Sequence, residues 1–225
     1  MTITETDIRH MLVKICRETY ERHLVVGPGG NISGKLDDGR VLVSPSGGVL
    51  VQLSEDDFVW SDMDRKTVAG ERPPSSELDK HLAIYRHWPE YRYVLHTHPP
   101  TVTGLSCAEF DLSQLLLVED IPYYIRNIDV IDFIESGTDA LTAAVESKVA
   151  HANAFILRGH GLLVAGRTAS EALFCSELIE ECAKMYVAAS SVGKFPIITP
   201  EQIRVIQNEP DNVVYDDSKL WMPGG

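Results

Sequence analysis

The 225-residue chain has a net charge of −13, and its hydrophobic share of 44% and charged share of 24% are those of an ordinary soluble globular protein. The negative charge argues against non-specific binding to nucleic acid, because phosphates would be repelled. No apolar run approaches the roughly 18–20 residues that cross a bilayer, and the N-terminus lacks the pattern of a signal peptide. We therefore expect a cytoplasmic protein without a nucleic-acid or membrane partner, folded as a single domain over residues 1–225.

Hydrophobic periodicity predicts helices and strands in alternation along the chain. In chain order these are a helix at about 5–23, a glycine-rich break at 27–40, strands at about 41–44 and 58–60, a helix at about 76–87, a strand at 91–98, a helix at about 138–150, two strands at 155–158 and 162–165, and a long helix at about 169–192. Thr168 and Glu171 form a predicted capping box before the last helix. Several strands are joined by short turns, so we predict a mixed sheet in a layered α/β/α domain.

Two histidines separated by one residue stand at the end of the strand LHTHPP, residues 95–100. Alternate side chains of a strand share a face and lie about 6.5–7 Å apart along it. His96 and His98 can therefore reach one metal ion while Thr97 points the other way, and the two prolines end the strand at that point. Taken alone, the pair is also compatible with two polar residues at the end of a strand.

A third histidine and a glutamate complete a candidate metal site. His160 lies in a glycine turn between two apolar strands, and three neutral imidazoles leave an open position on zinc, as in catalytic sites. A solvated turn is the alternative. Glu77 in PPSSELDKH can bind a metal or act as a base, or it can only favour the helix dipole. Ser75 and Ser76, with the free N–H groups of the first helical turn, form a suitable anion cradle. Ser76 and Asp79 resemble the cap of that helix.

The remaining histidines and the cysteines lack the spacing of a site. We interpret five histidines as surface or packing residues: His10, His23, His81, His87 and His151. The cysteines form no CxxC pair and are interpreted as free thiols, mostly buried: Cys16, Cys107, Cys175 and Cys182.

Five motifs occur together in a fixed order: GGN (29–31), SPSG (44–47), PSSE (74–77), HTH (96–98) and GHG (159–161). In combination they resemble the class II aldolase/epimerase family, which includes L-fuculose-phosphate aldolases, over about residues 5–205. The resemblance implies a three-layer α/β/α sandwich with a mostly antiparallel mixed sheet. It also implies a homotetramer with active sites at subunit interfaces.

The resemblance further implies a role for each motif. His96, His98 and His160 would hold one divalent metal ion per subunit, most often Zn²⁺, with Mn²⁺ or Co²⁺ as alternatives. Glu77 would be the fourth ligand in the empty site and the acid or base once substrate displaces it. The implied phosphate ligands are Gly30, Asn31, Ser46, Gly47, Ser75 and Ser76.

The reaction that follows is retro-aldol cleavage of a ketose 1-phosphate to dihydroxyacetone phosphate and an aldehyde, through a metal-stabilised enediolate. The same chemistry serves decarboxylation of a hydroxy or keto acid, dehydration or 4-epimerisation. The epimerase branch carries an aspartate where this chain has Glu77, so that branch is less favoured. A non-enzymatic interaction domain, like the adducin head, is disfavoured because all four metal-site positions are intact. A zinc hydrolase would not explain the serines beside Glu77, and a cupin would place a glutamate soon after HTH.

Two positions depart from the aldolase pattern. Pro28 stands where the aldolases have a hydroxyl residue in the phosphate loop. The segment SQLLLVED, residues 113–120, has leucines where the aldolase has a tyrosine that acts across the interface. Glu119, Tyr123 and Tyr124 are close enough in sequence to replace that proton donor, or they are an ordinary surface charge and two half-buried aromatics.

Overall fold

The computed structural model describes residues 3–70, 72–108, 111, 115, 117–125 and 127–208. Its helices are α1 (Glu5–Glu21), α2 (Leu78–His87), α3 (Pro100–Ser106), α4 (Asp120–Tyr124), α5 (Asp139–Lys148), α6 (Ala169–Val192) and α7 (Pro200–Gln207). Its strands are β1 (Asn31–Lys35), β2 (Val41–Val43), β3 (Val59–Ser61), β4 (Thr67–Ala69), β5 (Tyr93–Thr97), β6 (Ile128–Ile131), β7 (Ala154–Leu157) and β8 (Gly161–Gly166). Within these ranges, no helix combines the length and the apolarity that a membrane span requires.

The strands form one sheet in the order β4-β3-β2-β1-β5-β8-β7-β6. Neighbouring strands are antiparallel except β6 and β7, which are parallel. Helices α1, α3 and α6 pack on one face, and α2 and α5 pack on the other. Strand β8 shows the alternation: Leu163 and Ala165 enter the α2/α5 core, while Leu162 and Val164 enter the α6 core. The predicted three-layer α/β/α sandwich with a mostly antiparallel mixed sheet is therefore confirmed.

Strand β1 lies inside the glycine-rich segment 27–40, where no strand was predicted, because its sequence NISGK lacks the apolar pattern of a strand. It is nevertheless central, between β2 and β5. Gly34 admits helix α1 to close contact, because a Cβ at that position would lie 2.7 Å from Ile8 Cγ2. The strand is thus defined by its neighbours on both sides rather than by local apolar pattern.

The ends of two helices differ from the predicted caps. Helix α2 begins at Leu78 with Glu77 as its N-cap residue, and no side chain caps it, so the cap expected from Ser76 and Asp79 is wrong. Asp79 pairs with Arg65 instead. The predicted capping box of α6 is half formed, because Thr168 accepts from the Glu171 N–H while the Glu171 carboxylate binds Arg167.

Candidate metal centre

Strand β5 is central in the sheet, and it places the first two histidines at its C-terminal end. His96 is fully buried on the α2 face, while the Thr97 hydroxyl hydrogen-bonds Ser176 Oγ of α6 at 2.9 Å on the opposite face. His98 lies one residue beyond the strand, where its backbone N–H donates to the Leu24 carbonyl at 2.8 Å. The backbone therefore delivers both rings to the same side, as strand alternation predicts.

The β7–β8 hairpin brings the third ring to the first two. Gly159 adopts a φ of +64°, which favours glycine, and the His160 N–H closes the turn on the Leu157 carbonyl at 3.0 Å. His96 Nε2 lies 3.0 Å from His98 Nε2 and 3.2 Å from His160 Nε2. Tetrahedral zinc with Zn–N bonds of about 2.0–2.1 Å separates two ligand nitrogens by about 3.3 Å. The three nitrogens therefore have the spacing of ligands around one ion.

The protonation of the rings suits metal binding. The His96 Nδ1 atom lies 2.9 Å from the Leu162 carbonyl, an acceptor, so Nδ1 carries a hydrogen and the ring turns Nε2 toward the site. Burial, together with the neighbouring His96 ring, lowers the pKa of His98 to about 3. Burial, again with His96, lowers the pKa of His160 to about 4. Neutral imidazole is the form that binds a metal.

Two glycines make room for these rings. A Cβ on Gly161 would lie 2.3 Å from the Thr97 carbonyl oxygen and 2.6 Å from His98 Cδ2. A Cβ on Gly29 would lie 2.9 Å from His98 Nδ1. The glycines of GGN and GHG are thus needed for space as well as for backbone conformation, a role that sequence alone did not identify for Gly29.

Glu77 faces the histidines from the N-cap of α2, with 7% of its surface exposed. Its Oε2 lies 3.1 Å from His96 Nε2 and accepts from Asn31 Nδ2 at 2.8 Å, while Oε1 lies 3.7 Å from His160 Nε2. Burial acts to raise the pKa of the carboxyl, but the contacts with His96 and Lys80 outweigh it and hold the pKa well below the usual range. The side chain is therefore a carboxylate beside three imidazole rings, a donor set that fits a divalent metal.

Two further partners of Glu77 were not predicted from the sequence. Lys80 Nζ and Ser136 Oγ both donate to Glu77 Oε1. Lys80 is 1% exposed, and its burial lowers the pKa of the ammonium while Glu77 opposes that shift. Lys80 follows Glu77 by three residues, a spacing at which helical side chains meet, so this pair could have been predicted from the sequence. Ser136 lies 59 residues away from Glu77 in sequence, so no local pattern could have identified it.

The predicted serine cradle forms where two loops run side by side next to Glu77. The Ser75 N–H donates to the Ser44 carbonyl at 3.1 Å, and the Ser46 N–H donates to the Pro73 carbonyl at 2.9 Å. These bonds align residues 44–48 with residues 73–77. Ser46, Gly47 and Ser76 are exposed there. The structure therefore brings four of the predicted phosphate ligands into one pair of loops.

The other two predicted phosphate ligands lie at the start of β1. Gly30 has a φ of +78°, and a Cβ there would lie 2.7 Å from the His96 carbonyl oxygen. Asn31 is directly opposite His96 in the β1–β5 ladder. Its amide donates to Glu77, and its Oδ1 has no partner in the part of the chain that the structure describes. Asn31 thus contacts the carboxylate of the site.

The candidate proton donors belong to a different layer. The rings of Tyr123 and Tyr124 pack 4.8 Å apart, and Tyr124 packs 5.0 Å from Phe174 of α6. Glu119 is the N-cap residue of α4. Within one chain, then, these residues sit with α4 and α6 and not with the histidines. Leu115 is buried, whereas Ser113, Gln114 and Leu116 of the same segment lie outside the described residues.

His81 and the cysteines agree with the interpretation as packing residues and free, mostly buried thiols. His81 is fully buried behind the site, with Nδ1 2.8 Å from Ser33 Oγ. All four cysteines are free, and Cys107 is the exposed one.

Comparison with known proteins agrees with this geometry. The family model described as class II aldolase and adducin N-terminal domain matches residues 10–187. A 3-oxo-tetronate 4-phosphate decarboxylase of Haemophilus influenzae is 31% identical over 210 residues, covering 92% of this chain and 99% of that protein. An L-fuculose phosphate aldolase of Methanococcus vannielii is 36% identical over 182 residues, covering 81% and 97%. The solved structure of YgbL from Klebsiella pneumoniae has a TM-score of 0.85 at 26% identity and covers 90% of this chain and 99% of that one. The predicted resemblance is confirmed, and the chain belongs to this family as an enzyme of the class II aldolase type.

Proposed function

We propose that the chain is a metal-dependent carbon–carbon lyase that cleaves a ketose 1-phosphate to dihydroxyacetone phosphate and an aldehyde. The observation that carries the proposal is the meeting of three imidazoles and one carboxylate beside the serine cradle. His96, His98, His160 and Glu77 would hold one divalent ion per subunit, Zn²⁺ in the first place and Mn²⁺ or Co²⁺ as alternatives. When bound, the metal supplies Lewis-acid chemistry that polarises a carbonyl and stabilises the negative charge beside it.

Glu77 is the proposed acid or base at the carbon next to the substrate carbonyl. In the cleavage direction a distal hydroxyl loses its proton, the carbon–carbon bond breaks, the aldehyde leaves, and the remaining carbon gains a proton. In the reverse direction Glu77 takes that proton from the carbon. Its lowered pKa keeps it in the ionised form, the form that can accept a proton, and Oε2 lies 3.1 Å from His96 Nε2.

The serine cradle is the proposed phosphate site. The Ser46 and Ser76 side chains are exposed next to Glu77, and hydroxyl groups donate to phosphate oxygens. Gly47 has a φ of +67°, so its loop keeps a shape that leaves the backbone open to a ligand. Ser75, Gly30 and Asn31 complete the proposed set. The cradle offers exposed hydroxyls on loops beside Glu77, which suits a substrate with a phosphate at one end.

Assembly and localisation remain predictions. We infer a cytoplasmic homotetramer with active sites at subunit interfaces. The position of Tyr123 and Tyr124 with α6 supports this inference, because a second proton donor would then have to reach the histidines from a partner chain.

A second candidate is decarboxylation of a phosphorylated 3-oxo acid. The H. influenzae relative with that name aligns over 92% of the chain. In this reaction the carbon–carbon bond breaks, carbon dioxide leaves, and the carbon next to the carbonyl gains the proton. The departing carbon dioxide needs no proton donor or acceptor of its own. That agrees with the leucines at the position of the aldolase tyrosine.

One experiment separates the candidates. The purified protein, loaded in turn with zinc, manganese and cobalt, is incubated with ketose 1-phosphates and with 3-oxo-acid 4-phosphates. Release of dihydroxyacetone phosphate together with an aldehyde supports the aldolase, and release of carbon dioxide supports the decarboxylase. Phosphoglycolohydroxamate-like chelators should raise the melting temperature in either case. No turnover and no thermal stabilisation with any metal would refute both.

A further inference from the structure

The two oxygens of the Glu77 carboxylate have different surroundings. Oε2 faces His96 and the amide of Asn31, whereas Oε1 accepts from Lys80 and Ser136. We propose that Lys80, helped by Ser136, competes with the metal for this carboxylate, so that Glu77 binds the ion weakly and is released to act as a base. The inference rests on the proposed function and concerns the control of Glu77 within it.

The position of Lys80 is unusual for a lysine. Its side chain is 2% exposed, and its nitrogen reaches back one helical turn to Glu77. A buried ammonium is costly unless it is paired and hydrogen-bonded. The Glu77 carboxylate provides that pairing, so the chain places a full positive charge at the back of its candidate metal site.

Ser136 strengthens the hold from a second element. It lies between β6 and α5, and the next residue, Gly137, packs against Ser76: a Cβ there would lie 3.6 Å from the Ser76 hydroxyl. Oε1 is thus held by a side chain of α2 and by a loop from across the site. The carboxylate has a fixed direction, with Oε2 3.1 Å from His96 Nε2 and Oε1, the oxygen bound by Lys80 and Ser136, farther from the rings at 3.7 Å from His160 Nε2.

The charges explain how the contact between Lys80 and Glu77 affects metal affinity. The Glu77 carboxylate and the Lys80 ammonium have opposite charges, so the metal gains less from Glu77 than it would from an unpaired carboxylate. Coulomb repulsion between this ammonium and a dication held by the histidines would further weaken binding. In return, Lys80 gives Glu77 a partner when the carboxylate leaves the ion, and its positive charge remains beside an anionic phosphorylated substrate.

The test compares Lys80→Met with a matched control. Methionine matches the unbranched apolar part of the lysine side chain and removes the ammonium. The control is Lys148→Met, which breaks the ion pair from Lys148 Nζ to Asp129 Oδ1 at 2.6 Å, an interaction between α5 and β6. Zinc affinity is measured by competition with a chromophoric chelator, and the visible spectrum of the cobalt form reports how the ion is coordinated.

We expect Lys80→Met to bind zinc at least tenfold more tightly and to change the cobalt spectrum, because Glu77 becomes a stronger ligand. With the substrate that the wild type turns over, kcat should fall at least tenfold while KM changes less than threefold. Lys148→Met should match the wild type in all these measurements. Ser136→Ala, a mild change on a loop, should shift zinc affinity and kcat in the same directions by about threefold, and it tests the idea if Lys80→Met fails to fold.

Lys80 is merely structural if Lys80→Met lowers melting temperature and zinc affinity together, or if its zinc affinity and cobalt spectrum equal those of the wild type. Unchanged zinc affinity in Ser136→Ala would show that Ser136 does not contribute to this competition. A wild type that binds zinc but turns over no substrate refutes the proposed function alone, since affinity and spectrum still report on Lys80.

Discussion

The histidine cluster and the serine cradle lie next to each other but are built in different ways. The cluster stands at the ends of central strands, with His96 fully buried and its ring held by the Leu162 carbonyl. The cradle consists of two loops joined by backbone hydrogen bonds, with Ser46 and Ser76 exposed. A rigid buried centre suits chemistry that demands fixed geometry, and exposed loops suit recognition that differs between relatives. The contrast explains why the mechanism class is better determined than the substrate.

The largest effect is expected when the histidine cluster is removed. The double variant His96→Ala/His98→Ala should lose bound divalent metal completely, because one imidazole and one carboxylate cannot replace four ligands. Elemental analysis of the purified protein measures the loss. His10→Ala is the control, since the His10 side chain is exposed and its Nδ1 lies 3.1 Å from Glu55 Oε1 on the surface. Stoichiometric metal in the double variant would refute the site.

Removing the carboxylate should separate metal binding from turnover. An amide cannot take up a proton, so Glu77→Gln should lower kcat by roughly 10²–10⁴-fold, the usual contribution of a general base. Metal should remain on the three imidazoles. Steady-state kinetics and metal content are the measurements, and Glu146→Gln on the exposed side of α5 is the isosteric control. Activity within tenfold of the wild type would show that another group moves the proton.

The packing of the centre gives a prediction about stability. Gly161→Ala adds a methyl group that would lie 2.3 Å from the Thr97 carbonyl, a backbone atom that cannot move aside cheaply. We expect a loss of about 2 kcal/mol or more in the free energy of unfolding, together with weaker metal binding. Chemical denaturation measures the first. Gly104→Ala in α3 meets nothing within 4 Å and should be neutral or stabilising. Equal effects of the two substitutions would contradict the close packing.

The same contrast decides what could be predicted from sequence. Strand alternation identified His96 and His98 as neighbours with Thr97 on the other face, and the flanking glycines identified His160. Both arguments need only local geometry. The long helices and most strands follow from periodicity for the same reason, and the structure confirms the layered sheet that they imply.

The missed features depend on contacts between distant segments. Strand β1 lacks an apolar pattern and is a strand because β2 and β5 enclose it. Asn31 and Ser136 meet Glu77 across 46 and 59 residues of sequence, so the partners of that carboxylate are a tertiary property. The wrong cap of α2 has a related cause: Asp79 finds Arg65, and the Glu77 carboxylate turns to the histidines. The single domain over residues 1–225 and the tetramer stay predictions.

The smallest expected effect concerns the serine cradle and tests whether it binds phosphate. Ser76→Ala removes one exposed hydroxyl next to Glu77, and a hydrogen bond to a charged group contributes about 1.5–3 kcal/mol, so KM for a phosphorylated substrate should rise roughly tenfold or more. The KM of a non-phosphorylated analogue should not change, because only the phosphate loses a donor. Ser147→Ala is the control, since that exposed hydroxyl donates to the Ala144 carbonyl within α5. Equal losses for both substrates would mean that Ser76 supports the loop and not the phosphate, and the substrate end of the site would have to be sought elsewhere.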